Sequence, residues 1–298
     1  MSIEQRLPYA IAGRPVTASY RIDTRQPPTA LLLGTGDIPS AIGRALFLSG
    51  WSVVLLRDNA VPVLRHGMSF DDVLENGPAE LDGASGLPAH TAETLQAMVQ
   101  ARQGVVVANL DPAVVTASCP GLATVLIDAR MRKYAMQADL RPLAACTIGI
   151  GPGFVALGNV DIAIETLPGH EGGVITAGPT ATPTGKAVPL GGAGAERFVY
   201  APIAAAWHPD APLGAWLEAG DAIGLLGPDP VLAPIAGRIR GVVRAAPGGV
   251  ARGTKLVEID PRTDAPWRGI AIRAQRIATG VETALAALTP ATLAAASI

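Results

Sequence analysis

Three segments of this sequence set charged side chains beside glycines in patterns that could do chemistry. In "LLLGTGDIPSAIGRALFLSG", residues 31–50, Gly34 and Gly36 permit a tight turn and Asp37 opens a helix with an apolar face. Amides at such a helix start can donate to a phosphate, and Asp58, just beyond the next apolar run, stands where an acidic residue can hold ribose hydroxyls. Pro39 occupies the place where G-x-G-x-x-G expects its third glycine, so a purely structural turn competes with a nucleotide site. Asp37 would also repel phosphate unless it bonded a turn amide or held a cation.

In "DARMRK", Asp128 closes an apolar run, while Arg130, Arg132 and Lys133 offer directed donors for phosphate, carboxylate or a pterin-borne anion. The competing reading is a local ion network with Asp128 as a cap. In "GIGPGF", Gly149, Gly151 and Gly153 admit close approach of a ligand, or serve a tight sheet connection. Glu165 and His170, in "IAIETLPGHEGG", are candidates for positioning and proton transfer, and Asp128 is a candidate proton acceptor. No partner fixes a catalytic role for any of the three. His66 with Arg65 reads as a cofactor clamp or a polar loop, and Asp111 as a sheet-mouth group or an Asx turn before Pro112.

Other chemistries are excluded or left without support. "TGKA" at 184–187 lacks the Walker spacing and its hydroxyl, leaving Lys186 as an anion contact or a solvated turn lysine. Four histidines and two cysteines form no metal-ligand spacing, and the Ser, His and Asp residues are too scattered for a triad, so no metal site is expected. A net charge of −2 and sparse aromatics argue against nucleic acid and anionic membranes as partners. "MSIEQRLPYAIAGR" has no signal-peptide core, and the uncharged run 142–160 is broken by Pro152 and glycines, which fits a strand, loop and strand. A cytoplasmic protein is expected, with Cys119 and Cys146 reduced.

These residues need elements to hold them. The 298 residues are 49% hydrophobic and 16% charged, enough for a substantial core. Apolar runs at 31–33, 53–56, 105–108 and 125–127 alternate with helix-like segments, among them 90–103, and predict an α/β Rossmann-like domain over residues 1–175 with an N-terminal arm. Beyond it, Gly and Pro punctuate short runs such as "RFVYAPI", "GRIRGVVRAA" and "TKLVEID". These predict a β-rich domain over 176–298 with a terminal helix around 270–288.

The ordered series "GTGDIPSAIGRALFLSGWSVVLL", "HGMSFDDVLENG", "VLIDARMRK", "TIGIGPGF", "IAIETLPGHEGG" and "APIAGRIRGVVR...GTKLVEIDPR" resembles the selenium-dependent molybdenum hydroxylase system protein family, and more distantly xanthine dehydrogenase accessory proteins. The resemblance implies an accessory role in molybdenum hydroxylase maturation, with a nucleotide or molybdopterin-related ligand and a molybdenum hydroxylase client or maturation protein as partner. It carries ligand contacts onto Gly34, Gly36, Asp37, Asp128, Arg130, Lys133, Gly149, Gly151 and Gly153, and a secondary acidic-histidine segment onto Glu165, Gly169 and His170. Thr35 and His66 depart from its pattern. A noncatalytic adaptor docking a client enzyme and an NAD(P)-type dinucleotide-binding enzyme stand beside this reading, and a homo-oligomer is compatible with it. The tail resembles the barrel-sandwich architecture of biotinyl or lipoyl carrier domains. Residues 227–233 contain no lysine, so no lipoyl or biotin attachment is expected.

Overall fold

The computed structural model describes residues 27–288. The chain runs through β1 (Thr29–Leu33), α1 (Asp37–Leu48), β2 (Ser52–Leu56), α2 (Val73–Asn76), β3 (Ala79–Leu81), β4 (Ala84–Ala89), α3 (Ala92–Ala101) and β5 (Val105–Ala108). It continues through α4 (Pro112–Ser118), β6 (Val125–Asp128), β7 (Cys146–Ile150), β8 (Val155–Ala156), β9 (Ile162–Ile164) and β10 (Val174–Ile175). Nine of these strands form one sheet in the order β10-β9-β7-β6-β1-β2-β5-β4-β3. The central seven are parallel, and β3 and β10 close the edges antiparallel. The central strands β1, β2, β5 and β6 are buried along their whole length, which is why they read as unbroken apolar runs. Asp82 and Gly83 turn the chain between β3 and β4, which pair as a hairpin.

Antiparallel strands follow: β11 (Gly178–Pro179), β12 (Phe198–Tyr200), β13 (Trp207–Pro209), β14 (Trp216–Leu217), β15 (Ala222–Leu226), β16 (Asp229–Leu232), β17 (Gly237–Val242) and β18 (Lys255–Asp260), before α5 (Ile272–Leu288). The orders β12-β18-β17-β14 and β13-β15-β16 enclose a core centred on Trp207, Ile223, Ile239 and Leu256. Helix α5 then returns to the parallel sheet. Its Ala274, Ile277, Ala278, Val281, Ala284 and Leu285 make a stripe at helical spacing that packs beside α1. Gly280 permits this approach, because a Cβ there would lie 2.2 Å from the Gly172 carbonyl oxygen.

The expected fold class, a Rossmann-like domain plus a biotinyl- or lipoyl-like barrel-sandwich domain, is therefore corrected. The β-rich strands are not an appended carrier module but part of one α/β body. The loop after β2 threads into them: the Val242 amide donates to the Leu64 carbonyl at 2.9 Å, and Arg65 delivers its guanidinium to Glu258 on β18. Arg244 beyond β17 pairs with Asp72 before α2. Glu258 is wholly buried, and parting the two regions would take from it the paired bonds of Arg65. No helix among the described residues is long and apolar enough to cross a membrane.

Candidate functional site

The glycine turn after β1 is not arranged as a phosphate cradle. The Gly34 amide is spent on the Leu56 carbonyl at 2.7 Å, and at φ +108° Gly34 lies under the Ala129 carbonyl, 3.3 Å from where a Cβ would stand. Gly36 has open space around it, so no close approach requires a glycine there. Two carboxylates already occupy the helix start: Thr35 Oγ1 donates to Asp71 Oδ1 at 2.5 Å, and Asp37 Oδ2 accepts from Arg65 Nη1 at 2.6 Å. A phosphate would meet both negative charges.

Local pairs absorb most of the strand-end charges. Asp128 is buried, accepts from the Arg130 amide at 3.1 Å and takes the Arg130 guanidinium as a fork. Asp58 takes the Arg132 guanidinium at 2.7 and 2.5 Å. Burial alone would raise the Asp58 carboxyl, but Arg132 and the Ala60 amide hold it below its ordinary range. The later glycines serve packing: a Cβ at Gly149 would fall 2.1 Å from Phe154, one at Gly151 2.8 Å from Thr166 Oγ1, and one at Gly153 3.0 Å from Gln137. None of Gly34, Gly36, Asp58, Asp128, Arg130, Gly149, Gly151, Gly153 and His170 lines the large cleft described next, whereas Asp37, Lys133 and Glu165 do.

That cleft, of about 720 Å³, opens between the β6–β7 and β9 ends of the parallel sheet, the β12, β17 and β18 strands, and the start of α5. Nine cationic residues line it against three carboxylates, Asp37, Glu165 and Glu171. At its β-rich wall Glu258 accepts from Arg65 Nε and Nη2 at 2.7 and 3.0 Å and from Arg197 Nη1 at 2.5 Å, with Arg240 Nη1 at 3.7 Å. Burial would raise the Glu258 carboxyl, yet Arg65, Arg240 and Arg197 hold it down to about 2. Lys255 Nζ lies 3.6 Å from the Phe198 ring centre and 5.6 Å from that of Tyr200, and Arg197 sits over the same phenyl ring at 4.0 Å. Burial pushes the Lys255 ammonium down to about 8. Glu258 opposes the change, while Arg65, Lys133 and Arg197 add repulsion.

At the opposite wall Lys133 and Arg273 stand near Asp37. Both are lowered by desolvation in the cleft first. Repulsion from Arg273 and Arg65 adds to the effect on Lys133, and Asp37 opposes both shifts. The Nε atoms of Arg197, Arg240 and Arg273 are buried and have no hydrogen-bond partner among the described residues. Glu165 is a structural clasp, accepting from the amides of Thr166, Leu167 and Ala181 at 2.6, 2.8 and 2.7 Å. His170 is exposed. No group of three His, Cys, Asp or Glu side chains among the described residues could hold a metal ion. Reading the sequence alone missed Arg197, Arg240, Lys255, Glu258 and Arg273. The available sign was charge at alternating positions inside "GRIRGV" and "KLVEID", where one strand face must be buried.

No family model matches the chain. It is 29% identical over 263 residues to the uncharacterized protein YqeB of Escherichia coli (strain K12), covering 86% of this chain and 47% of that protein, so it spans about half the length of that relative. Similar solved structures include a succinylglutamate desuccinylase/aspartoacylase from Rhodobacter sphaeroides (16% identical, TM-score 0.25, covering 80% of this chain and 87% of that one). They also include the ectoine utilization protein EutE (DoeB) from Ruegeria pomeroyi, 14% identical with TM-score 0.24, covering 78% of this chain and 85% of that one. An aspartoacylase family protein from Mesorhizobium loti is 8% identical with TM-score 0.25, covering 79% of this chain and 86% of that one. Scores at this level transfer no activity. The expected membership of the selenium-dependent molybdenum hydroxylase system family is corrected: no family model supports it. The maturation role, its molybdenum cofactor vocabulary and the nucleotide or pterin ligand are withdrawn with it. The carboxylates at the α1 start give the physical reason at the glycine turn.

Proposed function

We propose that the chain binds a small organic anion in the cleft and acts there as a ligand-binding protein. The observation that carries this reading is the cluster around Glu258, where Arg65, Arg197, Arg240 and Lys255 gather on one wholly buried carboxylate, with Asp37 on the far side of Arg65 and Asp260 3.9 Å from Arg240, in a protein whose overall charge is −2. Concentrating like charges in a partly desolvated cavity is unfavourable unless an opposite charge joins them, and guanidinium groups meet oxyanions through charge-assisted bonds.

No histidine or cysteine lines the cleft among the described residues. Its carboxylates are engaged: Asp37 by Arg65, Glu165 by three amides, and Glu171 by the Gly169 amide and Arg276. Burial raises both free thiols, Cys146 to about 12, which suits inert cysteines in a reducing compartment, and the proposal places the chain in the cytoplasm.

Thermal unfolding and calorimetry with a panel of small carboxylates and phosphates test the proposal. Saturable stabilisation is expected in the wild type and a loss of at least tenfold in affinity in Lys255→Met and Arg240→Met. An equal response in all three proteins would overturn it.

A further inference from the structure

We infer that the ligand carries two separated anionic groups and bridges the cleft, one group held by Lys255, Arg240 and Arg197 on the antiparallel sheet and the other by Lys133 and Arg273 at the opposite wall. This inference rests on the anion-binding reading above and adds the ligand's class to it. Arg65 is the dividing element. Its Nη1 is bonded to Asp37 and its Nε and Nη2 to Glu258, so one guanidinium stands between two carboxylates and has its charge balanced from both sides.

What remains falls into two groups. On the sheet side, Arg197, Arg240 and Lys255 share Glu258, while Asp260 is taken by Arg262 through paired bonds and lies 3.9 Å from Arg240 Nη1. On the other side, Lys133 and Arg273 face Asp37, which already serves Arg65, and Arg273 also faces Glu171, which pairs with Arg276. The sheet side thus keeps surplus positive charge, whereas on the other side Asp37, Glu165 and Glu171 stand among the cations, and it is the unpartnered donor there that calls for a second anionic group. Each side also has a buried guanidinium nitrogen without a partner among the described residues: Nε of Arg197 and of Arg240 on one, Nε of Arg273 on the other. The Arg197 and Arg240 side chains line the cleft yet are only 5% and 9% exposed, so their guanidinium charge is poorly hydrated and an oxyanion in the cleft is its natural counter-charge. A single monoanion can serve one group and must leave the other as it is. A ligand with an anionic group at each end of a short spacer serves both, and its second contact is effectively intramolecular.

The test is calorimetric titration of the full chain, at fixed ionic strength, with linear α,ω-dicarboxylates and α,ω-bisphosphonates of two to six methylenes and with the matched monoanions. The expected result is that the best dianion of at least one class binds at least tenfold tighter than its monoanion, with an optimum in spacer length. Lys133→Met and Lys255→Met should each abolish that advantage. Arg273→Gln, which keeps the Lys133 ammonium, should reduce it too and stands in if Lys133→Met does not fold by circular dichroism. Monoanions that bind as tightly as every dianion, an advantage that survives in folded Lys133→Met or Lys255→Met, or one undiminished in folded Arg273→Gln, would overturn the two-group ligand and leave the anion site standing. Absence of binding by every anion in both classes would overturn the inference and the underlying function together.

Discussion

Replacing Glu258 by Gln removes one negative charge and leaves the three guanidinium groups around it without their centre. The side chain is fully buried and accepts from Arg65 at 2.7 and 3.0 Å and from Arg197 at 2.5 Å. Its carboxyl is held at about 2 against an ordinary 4.5, a difference that corresponds to about 3 kcal/mol of folding stability at neutral pH. Breaking a buried ion pair by removing one partner costs about 3–5 kcal/mol, so two independent routes meet near the same figure. For a body of this size that lowers the melting temperature by roughly 6–20 °C.

The sign with pH follows from the depressed value. The stabilisation from Glu258 is fully present above about pH 4.5 and is lost as pH falls towards about 2, so the wild type should weaken through that window while Glu258→Gln starts lower and shows less of that step. Urea unfolding at neutral pH and across that acid range measures both quantities. A loss below about 1 kcal/mol at neutral pH, or an unchanged acid profile, would refute the buried-centre argument.

Lys255 gives the opposite dependence. Because its ammonium is held at about 8 in the folded chain, anion affinity should fall as pH rises through 8, and Lys255→Met should flatten that part of the calorimetric profile. Gly280→Ala places a Cβ against the Gly172 carbonyl and should cost about 1–3 kcal/mol in urea unfolding by forcing α5 away from its seat. Gly36→Ala, with open space around it and φ −66°, should stay within about 0.5 kcal/mol of wild type, whereas Gly34→Ala at φ +108° should lose about 1–3 kcal/mol.

The central parallel strands were legible because burial on both faces writes them as continuous apolar runs, as in Leu31–Leu33 and Val105–Val107, and the period of Ile277, Val281 and Leu285 announced the last helix. The helix expected over 90–103 spans Ala92–Ala101. The cleft was not legible in the same way. Its nine cations come from residues 65, 133, 186, 197, 240, 255, 262, 273 and 276, and only tertiary folding brings them together. Glycine spacing drew attention to the turn after β1, but Thr35 and Asp37 hand that turn to Asp71 and Arg65 rather than to a ligand. Polar residues at alternating strand positions ordinarily face water. Arg240 and Glu258 instead face inward, and nothing in a single strand reveals the partner that permits this.

The most direct test of the anion site is to observe its orphan donors. In a protein labelled with nitrogen-15, the Nε–Hε resonances of Arg197 and Arg240 can be assigned by Arg→Lys substitution and followed while glutarate or its bisphosphonate counterpart is added. The anion-binding account predicts that both resonances move together and saturate with one midpoint, the protons shifting downfield as they gain an oxyanion acceptor. Resonances that stay fixed while calorimetry reports bound anion would place the ligand elsewhere and contradict it.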